Sequence, residues 1–401
     1  MKAMAGKRLI TLFVAYAVGS GMQARCDELT EKLIPDGITR RVGGYSPRRA
    51  EMDLSADAIK KVPESLEAPK FGQFTIGDKS WLFALDEPEG KPAKLFIDTN
   101  ADGDLTNDSE PKWESTTQNE LRQYSGVGKI DLGSGNIGSL GLYRFDPNDK
   151  RREQLKNTMM FYLDFGFEYE FKLDGKNFST FVAGKVDLQS SLPIDRDGNK
   201  KVSRRFETVK IGVPFNFTGT TYEFNFVDGK LSLSQADKAI EQLEMPPDLE
   251  VGKPSLQFTA TKMDGATVNF PQDYAGKLVM LDFWATWCGP CIAEIPNMKQ
   301  AYEDWHDEGF EILGISFDRE NMDEKIVEFT EQREMHWPHI YDGKYWDAAI
   351  GRMHDVSGIP YVLLIDGDTQ KILATAKDLR GKGLSDFIGK QLEKKKESKQ
   401  N

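Results

Sequence analysis

The sequence predicts two folded parts, a β-rich N-terminal domain and an α/β C-terminal domain with helices on both faces of a central sheet. Three observations carry that reading. Between about residues 71 and 234, short aromatic and β-branched runs alternate with Gly, Asn and Asp punctuation, the pattern of an antiparallel sandwich or barrel. Beyond Pro254, strand-length apolar runs alternate with helix-length amphipathic ones, which describes an α/β layer. Between the two, Pro246-Pro247 and Gly252-Lys253-Pro254 mark a linker. A chain of 401 residues has room for two or three independent cores.

Taken in order, Lys2, Lys7 and Arg8 precede the apolar run Leu9 to Val18, and Gly19, Ser20 and Gly21 follow it. Such a run is short for a membrane span but matches a secretory leader. Residues 1–24 are therefore expected to be cleaved and the mature chain to work outside the cytoplasmic membrane, in a periplasm-like compartment. A lipid-attachment cysteine needs a small residue before it, and Cys26 follows Arg25, so no lipid anchor is expected. Residues 25–70 mix charge and proline and are assigned to a lead-in segment, either ordered or a flexible arm. Over 71–235 strands are expected at Phe71–Ile76, Trp81–Leu85, Tyr169–Leu173, Thr208–Val213 and Tyr222–Val227. Asp174-Gly175, Asp197-Gly198-Asn199 and Asp228-Gly229 supply turns.

Ser234 to Leu243 has a weak helical pattern, and 236–253 is assigned to the linker. The second domain, 254–392, opens with two strands around Asp264-Gly265 and a buried strand Lys277–Trp284. A helix to about His306, a strand Phe310–Ser316, a helix Asp323–Gln332 and a helix near Trp346–Met353 follow. Strands Tyr361–Ile365 and Ile372–Thr375 and a last helix from about Leu384 complete it. Residues 393–401 are a polar tail in which Lys394-Lys395-Lys396 reads as a solvated helix end.

The net charge of −12 and the lack of clustered Lys and Arg argue against a nucleic-acid partner. Only three cysteines are present, Cys26, Cys288 and Cys291, with four histidines. A disulfide scaffold would use a larger, even set. A zinc site would need four ligands, and no second CxxC or paired His accompanies Cys288 and Cys291.

Trp287-Cys288-Gly289-Pro290-Cys291 therefore reads as a redox couple. The strand before it and the helical spacing from Ile292 onward put Cys288 at a helix N-terminus, where orphan amides and the positive end of the dipole favour a thiolate. Cys291 lies one turn in, placed to close a disulfide and release whatever Cys288 has attacked. A peroxidase is disfavoured, because the Pro-x-x-x-Thr-x-x-Cys pattern that activates a peroxide is absent before Cys288.

Residues Leu249 to Leu392 resemble the thioredoxin superfamily, specifically the exported TlpA-like or ResA-like thiol-disulfide oxidoreductases. The resemblance rests on Asp282-Phe283-Trp284-Ala285 leading into the WCGPC motif, on Pro296, on Gly358-Ile359-Pro360 ahead of a strand, and on Val251-Gly252-Lys253-Pro254. It implies a thioredoxin-like fold and a cis Ile359-Pro360 bond facing the disulfide. Ile359 then offers backbone groups to an extended substrate, and Trp287, Gly289 and Pro290 line the same groove. Asp282 matches the buried acid of thioredoxins and Glu294 a ResA-like glutamate; either carboxylate, if partly buried near Cys291, would have a raised pKa and could take its proton, while Glu294 could equally be a solvated first-turn acid. Gly289-Pro290 is the dipeptide of thioredoxins, which work as reductants. The implied partners are disulfide-containing proteins and a membrane or exported thiol donor; the redox chemistry requires no cofactor.

Two acidic loops in the N-terminal part share a spacing. Asp98, Asn100, Asp102 and Asp104, with Gly103 at the sixth position, are followed by Glu110; Asp195, Asp197 and Asn199 are followed by Glu207. Leu95 and Ile97 precede the first loop and Leu192 and Ile194 the second, which suggests an internal repeat. Oxygen ligands at alternate positions suit calcium, although the final acid falls at thirteen and the flanks look like strands; the alternative is an Asx-rich turn. In the second loop Lys200 stands where the glycine was. The reading is an exported two-domain thiol-disulfide oxidoreductase, with a calcium-dependent binding protein on a thioredoxin-like tether as its rival.

Overall fold

The computed structural model describes residues 29–118 and 121–400; the expected leader and Cys26 lie outside them. The chain divides into two compact units. One holds residues up to Leu192 together with Lys210–Gln242, and the other holds Pro193–Val209 together with the chain from Leu243 onward. Among the described residues no helix is long and apolar enough to cross a membrane.

The first unit is antiparallel throughout its named sheets. A five-stranded sheet runs in the order Arg48–Glu51, Thr158–Leu163, Ile137–Arg144, Leu121–Asp131, Trp113–Gln118. It shares a core with the three-stranded sheet Pro69–Ile76, Lys79–Asp86, Lys94–Ile97, in which Phe74, Phe83, Leu95 and Ile97 meet Ile130, Leu140, Met159 and Phe161. Each such buried side chain contributes about 1.5–3 kcal/mol. Asp174-Gly175 and Asp228-Gly229 close two-residue hairpins with left-handed φ at both positions, the type I′ geometry that matches strand twist.

The lead-in segment is more ordered than its composition suggests. Thr30–Ile34 pairs with Gly166–Leu173, and Arg48–Glu51 pairs with Thr158–Leu163. Their charged residues sit on exposed faces, while Ala50 and Ile38 are buried, so single apolar anchors recruit a polar segment into the sheets. The expected helix from Ser234 to Leu243 is not formed. The strand Lys230–Gln235 takes its start and the rest is irregular, because cross-strand pairing with Thr221–Val227 outweighs a weak local periodicity.

The second unit is built around strands β1 (Phe258–Thr261), β2 (Thr267–Phe270) and β3 (Leu278–Trp284), followed by helix α1 (Gly289–Trp305), β4 (Phe310–Ser316), α2 (Asp323–Gln332) and β5 (His339–Ile340). Helix α3 (Ala349–Met353), β6 (Tyr361–Asp366), β7 (Lys371–Thr375) and α4 (Leu384–Gln400) complete it. The central sheet has the order β5-β4-β3-β6-β7; β3, β4 and β5 run parallel, and β6 and β7 are antiparallel to their neighbours. Every residue of β3 and β4 is buried, which explains why both are mostly apolar. Helix α4 continues through the segment assigned to a polar tail. Its Lys395 is buried against Asp366 and Asp368, because its ammonium is paired there and its stem covers apolar surface.

Candidate active site

Strand β3 delivers the CxxC through a short turn that is tied from below. The fully buried Asp318, just past β4, accepts hydrogen bonds from the Thr286 amide (3.1 Å) and hydroxyl (2.6 Å) and from Ser316 Oγ (2.8 Å). Thr286 is thus fixed, and Trp287, 46% exposed, stands out beside the cysteines. Cys288 and Cys291 are buried and joined in a disulfide with Cα atoms 5.2 Å apart. Cys288 caps α1, and its Sγ accepts from the Cys291 amide at 3.2 Å. Gly289 and Pro290 form the first turn, where proline costs no intrahelical bond. In the reduced state the same amide and helix end would favour negative charge on the Cys288 sulfur.

Asp282 lies on β3, buried, and its carboxyl is pushed up to about 7. Burial is the largest cause; the positive charge of Arg380 opposes it, and the carboxylate of Glu294 adds to it. Glu294, on α1, accepts from the Gly381 amide (2.8 Å) and from Asn297 Nδ2 (3.0 Å). The preceding residue, Arg380, donates its guanidinium to the Pro360 carbonyl. The Ile359-Pro360 bond is cis. Since β3 and β6 pair with Phe283 opposite Tyr361, Pro360 falls at the end of the sheet where β3 leaves for Cys288.

The structure therefore gathers Asp282, Glu294 and Pro360 through Arg380 and Gly381, two residues that carry no motif. Asp318, Tyr345 and Trp346 also escaped the sequence reading; the one available signal was an acid two residues past a mostly apolar strand. A second cis proline, Pro271, was not expected either. His339 lies buried in β5, and burial holds both it and His354 near 4.

The two acidic loops diverge. In the first, Asp98 accepts from the amides of Asp102 (3.0 Å) and Gly103 (2.8 Å), Asp102 from Asp104 (2.8 Å), and Asp104 from Thr106 (2.9 Å). Asn100 accepts from the Asp102 amide at 3.0 Å. Lys61 pairs with Asp104 at 2.8 Å and holds its carboxyl near 2. Glu110 is exposed, and the hydrogen bonds inside this loop form a ladder of Asx turns. In the second, Asp195, Asp197 and Glu207 bring one carboxylate oxygen each within 4.8 Å of one another. Glu207 is buried, accepts from the amides of Arg196 (2.7 Å) and Ser203 (2.9 Å), and has a raised pKa caused first by burial. Asn199 donates to Asp197, and Lys200 takes the left-handed position that glycine fills in the first loop.

The AhpC/TSA family model matches residues 251–373. Over 146 residues, 36% of this chain, the sequence is 30% identical to the thiol-disulfide oxidoreductase ResA of Bacillus thuringiensis subsp. konkukian, and it spans 79% of that protein. This chain belongs to the ResA-like thiol-disulfide oxidoreductases. ResA of Bacillus anthracis is likewise 30% identical over 143 residues, 36% of this chain and 72% of that one. Among solved structures, the thioredoxin domain of a thiol-disulfide oxidoreductase from Bacteroides vulgatus is 29% identical, covers 36% of this chain and 99% of its own, and gives a TM-score of 0.32. Membership rests on the C-terminal region, which makes the chain a thioredoxin-like protein-disulfide oxidoreductase acting on disulfide-containing substrates.

Proposed function

We infer that the chain is exported and works as a reductant of protein disulfides. In this reading the Cys288 thiolate attacks one sulfur of a substrate disulfide, forming a mixed disulfide and expelling the other substrate sulfur as a thiolate. Cys291 then passes its proton to Asp282 and attacks Cys288 Sγ. The Cys288–Cys291 disulfide forms, the second substrate thiol leaves, and two electrons have passed to the substrate. A membrane-bound or exported thiol donor restores the dithiol. Glu294, held by the Gly381 amide, adds its negative charge to the surroundings of Asp282, while Trp287, Gly289, Pro290, Ile359 and Pro360 border the groove.

The observation that supports this most is the Cys291 amide aimed at the Cys288 sulfur at the start of a seventeen-residue helix. It favours the thiolate of the cysteine that must attack. The test is dithiol-dependent reduction of a protein disulfide by the full mature chain: Cys288→Ser should abolish it, and unchanged turnover would move the chemistry elsewhere. The rival reading, calcium-dependent binding, has the Asp195, Asp197 and Glu207 grouping in its favour. In that reading Ca2+ would be held in the second acidic loop.

A further inference from the structure

Beside the disulfide stands an aromatic cluster that no motif announces. The Trp287 ring lies 5.3 Å from Tyr345 and 5.9 Å from Trp346, and Tyr345 and Trp346 are 5.6 Å apart. Trp346 is anchored edge-on to the buried Phe317 at 5.4 Å. The Arg319 guanidinium covers Tyr345 at 4.6 Å. Trp287 is 46% exposed, and Tyr345 and Trp346 are half-buried, so the rings form a surface and not a core.

Two features show that this surface is built. Asp318 fixes both sides: its carboxylate holds Thr286, the residue before Trp287, and its carbonyl accepts from the Tyr345 amide at 3.3 Å. The second is backbone conformation. Tyr345 has φ of +54°, a left-handed region that a bulky residue enters only at a cost and that glycine enters freely. A side chain held in an unfavourable conformation next to a reactive pair suggests that its ring is needed where it stands. The exposed rim carries both signs, Arg319 and Lys344 against Glu320 and Asp347, so net charge is not what the face offers.

We propose that Trp287, Tyr345 and Trp346 form a pre-organised docking face for the protein substrate, one that selects a segment presenting a large apolar side chain beside its disulfide. The face is continuous with the redox groove through Trp287, and the proposal rests on the oxidoreductase reading above. Aromatic anchors in a fixed arrangement lose little conformational freedom on binding, which is why they dominate recognition energies.

The test uses the full mature chain and three substrates: a short disulfide-linked peptide with Phe beside its cysteine, the same peptide with Ser there, and hydroxyethyl disulfide, which has no large apolar group to place on the rings. Tyr345→Gly removes the ring at a position whose backbone conformation glycine adopts freely, so the chain should still fold. It should raise KM for the Phe peptide roughly tenfold, the loss of one aromatic anchor. The Ser peptide and hydroxyethyl disulfide should react as with wild type. Tyr345→Phe should restore the Phe peptide, and the preference for Phe over Ser should persist at high salt. Equal losses on all three substrates, no loss on the Phe peptide, or a preference abolished by salt would each overturn the docking face. Failure of the wild-type chain to reduce hydroxyethyl disulfide would instead remove the oxidoreductase reading beneath it.

Discussion

Replacing Asp282 by asparagine should stabilise the oxidised protein at alkaline pH and leave it unchanged in acid. The carboxyl titrates near 7 in the folded state against an ordinary value of 3.8. Below pH 4 the acid is protonated in both states and contributes no difference. As pH rises from 4 to 7 the unfolded chain releases the proton and the folded chain keeps it, so stability falls by about 1.4 kcal/mol per pH unit. Above pH 7 both states are ionised and the loss stays constant. Three units amount to roughly 4 kcal/mol, an upper figure because local opening and water penetration soften burial costs. An asparagine side chain cannot ionise, so Asp282→Asn should be more stable than wild type by about 2–4 kcal/mol at pH 8 and by less than about 0.5 kcal/mol at pH 4. Urea unfolding of the disulfide form at both pH values measures it, and the same variant should release a mixed disulfide more slowly at neutral pH. Equal stabilities at pH 8, or a gain of the same size at pH 4, would show that Asp282 is not a buried, proton-holding acid.

Arg380→Ala should raise the Asp282 pKa above its present value, since it deletes the positive charge that opposes burial; Arg380→Lys should recover most of the change. Carboxyl carbon titration by NMR reads both, and identical titrations in wild type and Arg380→Ala would exclude that role. Cys291→Ser expressed in the native host should accumulate mixed disulfides that depend on Cys288 and vanish on reduction; the Cys288→Ser, Cys291→Ser double variant sets the background, and equal capture by both would count against two-cysteine exchange. Calcium should raise the Tm of the wild-type chain and of Asp98→Ala but not of Asp197→Ala, because the acids that meet lie in the second loop; coincident melts in all three would leave both loops as turns. Gly141→Ala should cost about 1–3 kcal/mol of stability by overpacking, since a Cβ there would meet the Tyr162 ring at 1.9 Å; an unshifted denaturation midpoint would contradict the packing of that sheet.

The C-terminal strands were legible because β3 and β4 are buried on both faces and so read as mostly apolar runs, interrupted by Asp282 and Glu311 and bounded by Gly276, Gly309 and the CxxC. Helix α2 was legible at both ends from its spacing. The cysteines, Asp282 and Pro360 were found because their chemistry restricts residue type. Arg380, Gly381 and Tyr345 were not, since their roles arise from what the fold brings alongside them. A backbone amide that holds Glu294, or a tyrosine at positive φ, leaves no mark on composition or period. The polar strands before Pro69 were missed for a related reason: long-range pairing with Thr158–Leu173 forms them. The two acidic loops looked alike in spacing, yet only the second turns its distant acid inward, because Glu207 is drawn in by the amides of Arg196 and Ser203.

The second unit is discontinuous in sequence, and this bears on how it can be inherited, cut or transplanted. Residues 193–209 belong with the chain beyond Leu243. Arg196 donates to the carbonyls of Leu243 (2.9 Å) and Glu244 (2.8 Å). A fragment starting at the linker would keep every redox residue and lose the Arg196 guanidinium that holds the Leu243 and Glu244 carbonyls. The thioredoxin-like part is thus not a cassette separable by a single cleavage: a protease nicking the linker would leave the loop still docked by its own contacts, whereas a gene fusion joined there would omit it altogether.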